Sequence, residues 1–185
     1  MKEYILPVHD LVVHPGLTVP VYVDTPESIR VIETAVEKTK HIVLAPQRSN
    51  DRPYGPSDIY DTATIGDIIQ VLHMPDGALH TIVQTTAVVK LSDIEFSKHI
   101  FMANVTPIEL LDDSEFEQTI ALRDKVAEKL KEIPNIRRSK IDKVVAVMQN
   151  YQMPAFVDTV MHVLEIDTDT SLKILATTTW RYKSE

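Results

Sequence analysis

Leu6-Pro7-Val8-His9-Asp10-Leu11-Val12-Val13-His14-Pro15-Gly16-Leu17-Thr18-Val19-Pro20-Val21-Tyr22-Val23 sets the frame for the whole chain. It is rich in β-branched residues yet interrupted by Pro7, Pro15 and Pro20. Each proline fixes φ and removes a backbone donor, so the stretch is expected to form edge strand and turn, not central ladder. Gly16 after Pro15 supplies a turn position where φ can be positive.

Downstream, residues 42–45, 65–74 and 78–91 are β-rich runs. Pro75-Asp76-Gly77 separates the last two and predicts a hairpin. One helix interrupts the strands: Thr25 is the expected N-cap, Pro26 suits the first helical position, and Ile29, Ile32 and Val36 fall on one face. Residues 48–61, rich in Pro, Ser, Asn and Asp, read as a surface loop.

From Asp112 the period becomes helical. Leu122, Val126, Leu130 and Ile133 form a stripe ended by Pro134. Ser139 and Asp142 predict a capping-box start for a second helix with Ile141, Val144, Val145 and Met148 on its apolar face. Pro154 opens a third helix carrying Phe156, Val157, Val160, Met161 and Leu164, and a short one follows from about Asp169. Asp158 on that apolar third helix is expected either to pair with a neighbour or to face solvent. The expected fold is α+β in two lobes, a β-rich lobe with one helix over 1–108 and a helical lobe over 109–185.

The bulk properties narrow the function. Apolar residues are 44% and charged residues 25% of the 185, the balance of a globular protein. A net charge of −8 argues against nucleic acid. The short basic run Arg137-Arg138-Ser139-Lys140 reads as a solvated helix approach. No apolar run is long enough to span a bilayer and the start has no secretory pattern, so neither membrane nor export is expected. The absence of cysteine excludes thiol chemistry and fits a cytoplasmic protein.

No constellation for catalysis emerges. The seven histidines are scattered; only His73 and His80, flanking the hairpin, make a weak pair of metal ligands across two strands. There is no Walker A loop and no triad. Gly55-Pro56-Ser57 reads as part of a polar loop. The expected catalytic, cofactor and metal sites are therefore none.

The opening resembles that of the Lon N-terminal domain family, LPxRDxVVxPxxxxPLxV. Ser28-Ile29, Val43-Leu44-Ala45-Pro46-Gln47, Ile65-Gly66, Met74-Pro75-Asp76-Gly77 and the segment Pro154-Ala155-Phe156-Val157-Asp158-Thr159-Val160 follow in the family's order. His9 stands where the family has Arg, Asp24-Thr25 replaces a Gly-Arg pair, Thr85 and Val88 replace a Gly and an Arg, and Ser171-Leu172 a Lys-Gln pair. The Gly-Pro-Ser triplet at 55–57 is similar to that around the Lon catalytic serine, but Asp58-Ile59 and the polar setting depart from it.

The resemblance implies a non-catalytic domain of a Lon-type ATP-dependent serine protease, one that recognises unfolded or damaged proteins and supports hexamer assembly with other Lon subunits. ATP and magnesium would belong to a AAA+ module, and peptide hydrolysis to a Ser-Lys module, outside this chain. The alternative is a stand-alone Lon-domain protein acting as a protein- or ligand-binding module. For the recognition surface, Leu17, Val19, Pro20 and Met74 are the candidates. The prolines limit strand pairing around them, and methionine adapts to varied apolar partners. The competing expectation is that Leu17, Val19 and Met74 face the core.

Overall fold

The computed structural model describes residues 2–9, 11–48, 55–109, 111, 117–133, 138–149, 153–177 and 179. The chain is α+β and divides into two compact units, residues 1–108 and 109–185.

Among the described residues, the first unit contains β1 (Lys2–Val8), β2 (Thr18–Val23), α1 (Pro26–Lys38), β3 (His41–Pro46), β4 (Thr62–His73), β5 (Leu79–Ser97) and β6 (Ile100–Pro107). The strands form one mixed sheet in the order β2-β5-β4-β3-β1-β6. The pairing of the long β5 with β4 along its first part and with β6 along its last closes the sheet on itself. Successive side chains of a strand point to opposite faces, so both faces of β1 and β3 carry core residues. Tyr4, Leu6, Ile42 and Leu44 join Val21, Val23, Leu79 and Val83 under Val31, Ile32 and Ala35 of α1. Ile5, Val43 and Ala45 join Ala63, Val89, Leu91, Phe101, Ala103 and Val105 on the other face.

The expected edge position of the opening holds for only half of it. Pro20 lies in β2, which ends the sheet order. Pro7 lies in β1, between β3 and β6. It is tolerated because the β6 ladder covers only Lys2 to Ile5, so at Pro7 the strand is paired to β3 alone. Gly16 adopts φ 91° and Gly77 φ 89°, as their turns require. Helix α1 starts as expected: the Thr25 hydroxyl oxygen accepts from the Ser28 N–H, with Pro26 in the first turn. Its buried face is Val31, Ile32 and Ala35; Ile29 is half-buried and Val36 exposed, a shift from the expected stripe that the docking of α1 on the sheet imposes. In the loop expected over 48–61, residues 55–58 make a turn of 3-10 helix, Pro56–Asp58, with Ser57 exposed; residues 49–54 lie outside the described residues.

The second unit contains α2 (Glu117–Glu132), α3 (Arg138–Gln149), α4 (Met153–Val163) and α5 (Thr168–Ala176). Leu130, Val144, Met153, Phe156, Val157, Met161 and Val163 form its core. The expected stripe on α2 is rotated. Thr119, Arg123, Ala127 and Leu130 are buried, Leu122 and Val126 half-buried, and Ile133 is exposed beyond the helix end. Helix α3 begins at Arg138, so Ser139 is already helical and not its cap. Helix α4 begins at Met153, one residue before Pro154. Asp158 is half-buried. Asp167 caps α5, its Oδ1 accepting from the Thr170 N–H at 2.9 Å.

Candidate recognition surface

The sheet face opposite α1 carries an apolar surface across β2, β5 and β4. Register pairing sets Tyr22, His80 and Leu72 in one row across β2, β5 and β4, and Pro20, Ile82 and Gln70 in the next. Residues directly opposite in a ladder share a face. Tyr22 is 55% exposed and Leu72 44%. Ile69, the extra residue of a β-bulge between Ile68 and Gln70, is 62% exposed, and Met74 at the hairpin is 40% exposed. Bulges re-aim a side chain, and this one sets an isoleucine in water.

The candidates read from sequence separate. Pro20 is on this face and Met74 at its hairpin end, both exposed. Val19 is in register with Val83 and packs against the core beneath α1, as the competing expectation had it. Leu17 is half-buried and precedes β2, at the end of the strand away from Met74. Tyr22, Ile69 and Leu72 were missed. Alternation in β2 could have pointed to Tyr22, since Val19, Val21 and Val23 share the opposite parity; the bulge that exposes Ile69 leaves no pattern in the sequence.

Two polar devices hold the surface. Asp76 accepts from the Tyr22 hydroxyl at 3.2 Å through Oδ2 and from the Ala78 N–H at 3.1 Å through Oδ1, tying the hairpin to β2. Desolvation, followed by that bond and the Asp76 charge, raises the Tyr22 pKa above its ordinary value. At the other end, the Thr85 N–H donates to the Leu17 carbonyl and the Gly16 N–H to the Thr85 carbonyl, both at 2.9 Å. The Thr85 hydroxyl accepts from the Leu17 N–H at 3.0 Å and lies 2.9 Å and 2.8 Å from the His14 and Leu17 carbonyls, between which its one proton is shared. Thr85 thus clips the 14–17 turn to β5.

The hairpin histidines do not come together. His80 is opposite Leu72 and His73 opposite Leu79, a one-residue offset that sends the two rings to opposite faces. Among the described residues no group of three or more His, Cys, Asp or Glu could hold a metal ion, and no helix is long and apolar enough to cross a membrane.

With this geometry, the family model for the ATP-dependent protease La (LON) substrate-binding domain matches residues 4–184. The chain belongs to this family. The Lon protease of Buchnera aphidicola is 31% identical over 179 residues, covering 88% of this chain and 22% of that protein. The Lon protease of Haemophilus influenzae is 35% identical over 118 residues, covering 63% of this chain and 15% of that protein. The chain spans less than a quarter of the length of either Lon protease. The N-terminal domain of the Mycobacterium avium complex Lon protease has a TM-score of 0.71 and 16% identity, covering 100% of this chain and 94% of that one. A Lon N-terminal domain protein from Xanthomonas campestris has a TM-score of 0.68 and 13% identity, covering 99% and 94%. The fold is therefore that of the Lon N-terminal domain.

Proposed function

We propose that this chain recognises unfolded or damaged polypeptide for a Lon-type ATP-dependent protease, through the exposed face of β2, β5 and β4. The observation that carries the reading is the row Tyr22–His80–Leu72, with Pro20, Met74 and Ile69 around it, in a chain of the Lon substrate-binding family. Leu17 lies at the Thr85 clip beside this face and is assigned a margin role; Val19 is assigned to the core. A surface that must accept many sequences needs apolar, adaptable side chains and no deep polar pocket, and Met74 suits it.

Casein, an unfolded protein, serves as the probe. Tyr22→Ser with Leu72→Ser should weaken its binding at least fivefold while changing stability by no more than about 2 kcal/mol, twice the span of strand preferences at a single site. Unchanged casein binding in that double variant would overturn the reading.

The same reading assigns nucleotide and peptide hydrolysis to other modules. The chain should neither bind ATP with magnesium nor cleave casein, and turnover that vanishes in Ser57→Ala would contradict this. Its contribution to hexamer assembly is proposed to be secondary: alone at micromolar concentration it should sediment as one or two protomers. A tight hexamer would move the assembly determinants into this chain.

A further inference from the structure

A cleft of about 330 Å³ opens along β2, lined by residues 6–9 at the end of β1 and 20–24 at the end of β2, with Leu11 and Ser28 completing it. Side chains of a strand alternate between faces. Runs of consecutive residues along both walls therefore mean that two strand edges, and not one side-chain face, border the cleft. Among the described residues, no further strand covers either edge. β2 ends the sheet order and pairs only with β5, while on β1 the β6 ladder stops at Ile5 and residues 6–8 pair with β3 alone.

Backbone period sharpens this. The Leu17 carbonyl faces β5, where it accepts from the Thr85 N–H. With a two-residue repeat, Val19, Val21 and Val23 turn their main-chain groups to β5, and Thr18, Pro20 and Tyr22 turn theirs to the open edge. Pro20, which has no N–H to offer, sits where no β5 bond is lost.

Charge selects the occupant. Among the described residues, Asp24 is the one carboxylate lining the cleft and no Lys or Arg lines it, while Asp76 sits at the hydroxyl of Tyr22. We propose that the cleft takes an extended segment of an unfolded protein as an added strand, main chain against the β2 edge, preferring apolar residues beside a Lys or Arg directed at Asp24. This rests on the reading that the chain captures unfolded polypeptide and names the segment it grips.

The test uses the full chain and a labelled decapeptide of alternating valine and threonine with one central lysine. Methylating alternate backbone nitrogens removes main-chain donors and leaves every side chain. In at least one of the two phases it should weaken binding at least tenfold. Peptide binding should slow hydrogen exchange at the Thr18 and Tyr22 amides. Replacing the peptide lysine by glutamate should weaken binding, and Asp24→Lys should restore it. Equal binding of parent and methylated peptides in both phases, or no slowing at Thr18 and Tyr22, would overturn the cleft. If casein binding is still lost in the Tyr22→Ser, Leu72→Ser variant, the face survives that failure. Conversely, a methylation-sensitive peptide on a chain that ignores casein would support the cleft and overturn the face.

Discussion

Two positions on the β4–β5 ladder show how single residues position the surface. A Cβ placed on Gly66 would lie 2.5 Å from the Gln84 carbonyl oxygen and 2.7 Å from Val83 Cγ1. The first contact is backbone and cannot swing away, so Gly66→Ala should cost about 1–3 kcal/mol, the usual range for overpacking, read from denaturant unfolding. Thr85 is buried, and its hydroxyl clips the 14–17 turn. Thr85→Ala should cost about 0.5–1.5 kcal/mol, the net worth of an ordinary hydrogen bond, because it removes the side-chain acceptor of the part-buried Leu17 N–H. It should also speed exchange of the Leu17 amide; exchange as slow as in the parent would show that other contacts hold the turn.

At the scale of elements, the turn joining β5 to β6 has an unusual composition. Lys98 and His99 take φ 52° and 64°, left-handed values for which Asn and Gly are the ordinary choice. Each such non-glycine residue costs about 1–2 kcal/mol in principle. Lys98→Asn with His99→Gly should therefore raise stability by about 1 kcal/mol or more, after losing the edge contact of His99 with the Phe96 ring. A fall in the melting temperature of this double variant would show that the contact outweighs the strain. The β5–β6 hairpin thus exists without a turn signature in the sequence, whereas Met74-Pro75-Asp76-Gly77 announces its own.

For the whole molecule, three carboxylates among the described residues shape the expected response to acid. The hydrogen bond from Lys90 holds Asp61 below the usual carboxylate range, the hydrogen bond from Lys140 does the same for Glu165, and the Thr170 N–H does it for Asp167. A pKa depressed in the folded state contributes stability above the unfolded value, which is lost as pH falls through the folded one. The melting temperature should thus be flat near neutrality and fall below about pH 4, where free carboxyls titrate. All three groups are exposed, so salt should reduce the effect. Lys90→Met with Lys140→Met should shrink the drop between pH 5 and pH 3; an unchanged drop would assign it to other groups.

Local chemistry alone determined much. The Thr25 cap, the Pro26 start, the Gly16 and Gly77 turns and the helical character of the second unit were all legible, because each depends on a few neighbours in sequence. What only the tertiary structure decided depends on which surfaces meet. The docking of α1 on the sheet buried Val31 and Ala35 and left Val36 in water. The limit of the β6 ladder let Pro7 enter an inner strand, and the closure of β5 onto β6 gave β1 and β3 two buried faces. The bulge at Ile69 and the register of β2 on β5 separated Val19 in the core from Tyr22 at the surface. Periodicity says that a residue has an apolar side, and only the partner strand or helix decides whether that side is covered.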